Sequence, residues 1–210
     1  MRLFTYIVAR DYGFAPNPFG GVCTLATCKP KIRRTASVGD WIAGIASKKY
    51  CRVPSLLYMM RVDEVSTYNE YWKDSRFQKK KPSRTSSVKQ LFGDNIYHRN
   101  AKGQWIQADS HHSLEDGTPN LRNIDNDTQS EGVLIGWRYA YWGSNAIKIP
   151  GEFLDYDGDA ISLNRGYKYH YSDRFVNAFV QWFESLKAQG HFAPPVLWQT
   201  RGATWSKPSI

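Results

Sequence analysis

Apolar positions along this chain come in short runs broken by Gly, Pro, Asn and charge, and only one stretch keeps a helical period. Residues 3–9 (LFTYIVA) are rich in β-branched and aromatic side chains and predict a buried opening strand. Residues 12–21 (YGFAPNPFGG) form a loop whose prolines and glycines fix unusual backbone angles. VCTLATC predicts a second strand. Pro30 suits the first turn of a short helix over 30–36, where its missing N–H costs nothing. Gly39-Asp40 then turns the chain into a strand WIAGIAS. A further strand is expected over 56–66 (LLYMMRVDEVS). Thr67 or Asn69 then caps a helix through NEYWKDSRF, with Glu70 in the first turn, where the helix dipole favours an acid.

Residues 78–87 are basic and Ser/Pro-rich, hence an exposed loop. GDNIYHR and QWIQA predict a hairpin joined through Asn100, Lys102 and Gly103. Residues 109–131 are polar and read as a mobile insertion, and GVLIGWRYAYWG as a strongly apolar strand. Phe175, Phe179, Trp182, Phe183 and Leu186 recur at i, i+4, i+7, i+8 and i+11, which predicts an amphipathic helix over 173–189. Asp173 is its expected N-cap, Gly190 its stop, and the aromatic stripe is core. Strands with a few short helices and one long C-terminal helix exclude the regular alternation of a dinucleotide-binding sheet. The pattern predicts an α+β fold: a curved mixed sheet or partly closed barrel with helices at its openings, in one domain over 1–210. The tail 191–210 carries Trp198 and Trp205, to pack or to meet a partner.

Composition supports a folded chain. Hydrophobic content is 41%, and eight Trp, thirteen Tyr and ten Phe can fill a core. No apolar run approaches the roughly 20 residues of a membrane span, and the first residues lack the pattern of a secretion signal, so a cytoplasmic protein with no membrane partner is expected. Cys23, Cys28 and Cys51 are an odd number and read as free thiols. The spacing of Cys23 and Cys28, and the adjacent His111 and His112, do not match a zinc site, so neither metal nor cofactor is expected. A formal charge of +9 favours a polyanionic partner. Cations cluster between Lys29 and Lys89, while 109–131 is acidic, which would orient an anionic ligand to one side.

Several short motifs are candidates for chemistry. Asp40-Trp41 offers a hydrogen-bonding edge and a stacking face, or else a plain turn with Trp41 in the core. Helical spacing puts Trp72 and Arg76 on one face beside Tyr71, equipment for gripping a base and a phosphate or a simple surface stack. Gly93-Asp94-Asn95-Ile96-Tyr97 leads into a strand, and the Asn95 amide suits a base edge as well as a turn. Asn164-Arg165-Gly166-Tyr167-Lys168 gives two cations around a glycine before the long helix. Asp155, Asp157 and Asp159 lack the distal Glu of a calcium loop and read as a turn.

Together, ARDYGFAPNPFGGVCTLATCKPKIR, GDWIAGIAS, EYWKDSRF followed by GDNIY, and RGYK resemble the nucleotide modification-associated domain 2 family over about residues 3–170. The resemblance implies a setting of nucleic-acid modification or phage defence rather than a particular reaction. Tyr167 stands where an RGHK-like string would carry His, so no catalytic histidine is placed there. A weaker similarity, to PUA-like modules of the EVE and ASCH groups, implies a curved sheet whose cleft takes a modified base.

The leading expectation is a binding module for nucleic acid or a modified nucleotide. Asp40, Trp41, Tyr71, Trp72, Asn95 and Tyr97 would take the base; Arg33, Arg34, Arg76, Lys79, Lys80, Arg165 and Lys168 would take phosphates. The alternative is an enzyme transferring or hydrolysing a group, with Asp11, Asp40 and Asp94 as carboxylates. A third reading is a protein-interaction subunit of a defence complex.

Overall fold

A computed structural model of the chain describes residues 1–198. In chain order the elements are β1 (Leu3–Val8), β2 (Cys23–Leu25), α1 (Pro30–Thr35), β3 (Trp41–Ala46), β4 (Ser55–Arg61), β5 (Glu64–Thr67), α2 (Tyr68–Lys73), α3 (Val88–Leu91), β6 (Tyr97–Arg99) and β7 (Trp105–Gln107). There follow α4 (Leu121–Asp127), β8 (Gly132–Gly136), β9 (Tyr139–Tyr141), β10 (Ile147–Lys148), β11 (Tyr167–Lys168), α5 (Asp173–Ser185) and β12 (Gly190–His191). The main sheet runs β11-β1-β3-β4-β9-β12, with β10 also paired to β4. It is mixed, since β1 lies parallel to β3 and β9 parallel to β12. A second, antiparallel sheet is ordered β2-β8-β5, and β6 and β7 make the expected hairpin.

Alternation along the central strands explains the packing, because successive side chains point to opposite faces. Leu3, Trp41, Ala43, Ile45 and Met59 face α5, where Phe175, Phe179 and Phe183 close the layer. Phe4, Tyr6, Ile42, Tyr58 and Met60 face the other way, onto β2, α1 and β8. Both faces are covered, so these strands read as nearly continuous apolar runs.

The two long apolar strands of the sequence are each broken in two. Asp63 Oδ2 accepts from the amides of Trp137 (2.7 Å) and Arg138 (3.1 Å), which ends the ladder and bends β4–β5 and β8–β9 together from one sheet into the next. The corner is tight: a Cβ on Gly136 would lie 2.3 Å from the Arg61 carbonyl oxygen. The ribbon curves the whole without closing a barrel.

Three boundaries differ from the sequence expectation. Of the two cap candidates for α2 it is Thr67, in a reciprocal box with Glu70. That helix stops at Lys73, because Asp74 turns extended and caps a 3₁₀ segment over Ser75–Lys80. Ser172, not Asp173, caps α5 by accepting from the Phe175 amide (3.2 Å), and the helix ends at Ser185, with Lys187 at a φ of +50°. The polar stretch 109–131 contributes α4 and buries Ser110, Ser113, Ile124 and Asp127. Among the described residues no helix is long and apolar enough to cross a membrane.

Candidate functional site

At one edge of the assembly the turn between β2 and α1 meets the segment leading into α4. Cys28 lies in that turn with φ +54° and Lys29 follows at +42°, both left-handed. That region costs an L-residue roughly 1–2 kcal/mol, so the surroundings must hold it. Arg33, on the next turn of chain, does the holding. Its Nε donates to the Cys28 carbonyl (2.8 Å), Nη1 to the carbonyls of Ser130 (2.8 Å) and Gly132 (2.7 Å), and Nη2 to that of Asp127. Arg33 is 1% exposed and its guanidinium is committed to main-chain oxygens, so it clamps two chain segments rather than a phosphate.

The clamp sets three titratable side chains in a row. His112 Nδ1 is 2.7 Å from Asp127 Oδ2, and Nε2 is 3.7 Å from the Cys28 sulfur. Asp127 is wholly buried and also accepts from the Cys28 amide (2.8 Å) and the Tyr97 hydroxyl (3.0 Å). Gln107 Nε2 in turn donates to that hydroxyl (3.0 Å). With its Nδ1–H donated to the carboxylate, His112 turns its Nε2 to the Cys28 sulfur. Burial works against a charged imidazole. The Cys28 sulfur charge and the Asp127 carboxylate outweigh it and push His112 up to about 10. Burial would also raise Asp127, but the bonds from His112 and the Cys28 amide, with the Arg33 charge, hold it below the ordinary carboxylate value.

The donor atoms of Cys28, His112 and Asp127 lie within 4.8 Å of one another. A metal would need one imidazole lone pair, a sulfur and an oxygen aimed at a common point. Here the ring lies between its neighbours with each nitrogen turned to one of them, the arrangement of a proton relay.

Cys28 and His112 open onto a cavity of about 300 Å³. Its walls are aromatic and apolar: Tyr6, Val8, Tyr12 and Phe14, with His111 tilted 4.6 Å from Tyr12 and His112 4.6 Å from Phe14. Arg10, Lys29 and Asn123 supply the polar positions. On the far side of the Cys28–Lys29 turn is a second cavity of about 410 Å³, lined by Lys29, Lys31, Asn126, Gln129 and Gly166. The Lys29 amine lies over the Tyr6 ring at 4.6 Å, and burial lowers its pKa.

The residues singled out in the sequence disperse. Trp41 is 4% exposed and packs edge-on against Phe183. Asp40 is taken up by Arg2 (2.6 Å to Nη2) and the Ser37 amide (2.9 Å). Asp11 accepts from the Tyr141 hydroxyl (2.7 Å) and the Val196 amide (2.9 Å), and burial raises its pKa. Tyr71, Asp94 and Asn95 are wholly buried, with the Tyr71 hydroxyl donating to Asp94 (2.8 Å) and Asn95 to the Tyr71 carbonyl (2.9 Å). Lys80 is buried too, donating to Asn17 O and Oδ1 and to Val22 O, each at 2.9 Å. Trp72 stacks on His98 (4.2 Å) beneath the Lys81 amine. Arg76 is paired with Glu64 and Asp74, and Lys168 lies 3.5 Å from Asp159. Arg34, Lys79 and Arg165 are exposed. Trp198 packs, donating from Nε1 to the Tyr12 carbonyl (3.0 Å); Trp205 lies outside the described residues.

Of those candidates, Arg33 and Tyr97 reach the cavity's polar row, both as supports. The sequence weighs Cys28 and His112 only against a zinc site and Asp127 only as part of an acidic segment, because the three stand far apart in sequence with no fixed spacing. The signal available was the combination of a free cysteine before Lys-Pro and a paired His in an otherwise acidic segment.

Fold and cavity together define a small α+β protein with a single row of titratable groups at the mouth of an aromatic pocket. The nucleotide modification associated domain 2 family matches residues 1–202, so the chain belongs to that family. No curated protein and no solved structure matches it.

Proposed function

We propose that the chain takes a nucleotide, free or within a single strand, with the base in the aromatic cavity and the phosphate toward Lys29 and Lys31. The observation that carries this is the cavity itself. At about 300 Å³ it is at the small end of ligand pockets. It suits one flat aromatic ligand, and Tyr12, Phe14 and His111 supply stacking and edge contacts. Cations on both sides of the Cys28–Lys29 turn would meet the phosphate, which positions a nucleotide without reading it. Membership of a family associated with nucleotide modification favours this ligand class over other flat molecules. The exposed Arg34, Lys79 and Arg165 would extend the phosphate path along a strand.

Calorimetric titration with the deoxynucleoside monophosphates and a short single-stranded oligonucleotide tests the proposal. Binding is expected, and Ala9→Phe, at the exposed rim of the cavity, should abolish it while leaving the core intact. Lys31→Glu should weaken it and flatten its salt dependence, since fewer phosphate contacts release fewer counterions. Binding of none of these ligands, or binding indifferent to Ala9→Phe, rules the cavity out.

A further inference from the structure

We infer that Cys28 is a nucleophile that accepts an acyl group as a thioester, activated by His112 and Asp127, and passes it to an amine of the base held in the neighbouring cavity. The acceptor half rests on the proposed nucleotide site; the thioester half stands on the geometry of the row alone.

Four observations converge. Cys28 lines the cavity, and its sulfur is 3.7 Å from His112 Nε2. The opposite ring nitrogen is fixed by a wholly buried carboxylate, which aims Nε2 at the sulfur and lets it hold the proton there. The backbone of Cys28 is held left-handed by the Arg33 clamp, a strained conformation of the kind that accompanies function. The other thiols lack this setting: Cys23 is fully buried and pushed up to about 12, and Cys51 packs against the core.

The chemistry balances without an oxidant or a metal. The Cys28 sulfur, its proton held on His112 Nε2, attacks the carbonyl carbon of an ester or amide donor. The carbon–heteroatom bond of the donor breaks, and its leaving group departs with the proton from His112. In the second half, the base amine attacks the thioester and gives its proton to His112. The carbon–sulfur bond breaks and the thiol is restored. Asp127 keeps its charge throughout and acts as a positioning residue. Lys29, on the same wall, is the cation available to the developing oxyanion.

The test uses the full chain with p-nitrophenyl acetate as donor, read by nitrophenolate release and by peptide mass mapping. A single acetyl group on Cys28, labile to hydroxylamine and absent in Cys28→Ser, is expected. His112→Asn should slow acetylation about 100-fold, the scale of a lost general base. Asp127→Asn should shift its pH profile, which a purely structural role would not do. Acetyl on Cys51 or on lysines that persists in Cys28→Ser overturns the inference, as does a wild-type rate in His112→Asn. So does a stoichiometric transition metal held by the purified chain and lost in Cys28→Ser. Faster discharge of acetyl-Cys28 with a nucleoside monophosphate present supports the acceptor, and an unchanged rate overturns it. If acetylation behaves as stated while no nucleotide binds, the proposed ligand falls and the nucleophile stands.

Discussion

Two carboxylates in this molecule are wholly buried in polar networks, and they do opposite things. Asp94 accepts from the Thr24 (2.6 Å) and Tyr71 (2.8 Å) hydroxyls, beside the Lys80 ammonium. Burial pushes its pKa up, against the pull of Lys80. Asp127 is equally buried, yet its pKa is held down. The difference lies in where each network ends. Around Asp94 the chain of bonds closes on itself, and all three Lys80 protons are given to Asn17 and Val22 oxygens, leaving no donor for a ligand. Around Asp127 it runs out through His112 to the sulfur of Cys28, two residues that line a cavity. Buried charge marks a site only when a titratable path leads from it to a place a ligand can occupy.

The largest effect that separates the two networks is expected from Lys80→Met. It removes the cation beside Asp94 and strips donors from buried oxygens, so unfolding free energy should drop by about 3–5 kcal/mol in urea titrations. The acetylation rate of Cys28 in the folded protein should not change. A loss below about 1 kcal/mol would mean the Asp94 network is not sealed as described. Arg33→Lys comes next. A single ammonium cannot serve carbonyls on three sides as the guanidinium does, so stability should fall by about 1–3 kcal/mol. Cys28 acetylation should slow as well, because the clamp sets the Cys28 backbone. Arg34→Lys, one residue on and exposed, should change neither.

The pH dependence sharpens the contrast further. His112 binds its proton more tightly folded than unfolded, rising from 6.5 to about 10. Its contribution to stability is therefore fully present below about pH 6.5 and lost as pH climbs toward 10. The stability gap between wild type and His112→Asn should be widest at the low end of that window and shrink through it, measured by denaturant unfolding at a series of pH values. A gap that widens with pH would mean that His112 does not hold its proton more tightly in the folded state. Asp127 works at the acid end: its lowered pKa gives stability present above 3.8 that is lost as pH falls.

How legible was this in the sequence? Continuous β-branched and aromatic runs place the central strands, and the aromatic repeat places α5, because these depend on local pattern. The corner at Gly136 was not legible, since it arises from Asp63 reaching across to amides far along the chain. The basic and aromatic residues chosen as binding groups obeyed the same local logic. Trp41, Tyr71 and Lys80 stand in a strand, a helix and a 3₁₀ turn whose burial is decided by what packs over them. Cys28, His112 and Asp127 offered no periodicity or spacing, because a relay needs only that three atoms meet in space. Arg33 and Tyr97 did stand out, for a chemistry other than the one their surroundings support.

The smallest expected effect concerns Arg76, the residue whose sequence context most suggested phosphate binding. Its guanidinium is about half exposed and already held by Glu64 (2.8 Å) and Asp74 (2.6 Å). Exposed ion pairs contribute about 0.2–1 kcal/mol, so Arg76→Ala should shift stability by no more than that. A phosphate would have to displace two carboxylates to reach it, so nucleotide affinity should stay within twofold of wild type in the calorimetric titration. If affinity instead falls tenfold (about 1.4 kcal/mol), the phosphate path runs past α2, away from the Cys28–Lys29 turn. The base would then have to approach Trp72 rather than the aromatic cavity, and the contrast between a sealed and an open network would no longer locate the ligand.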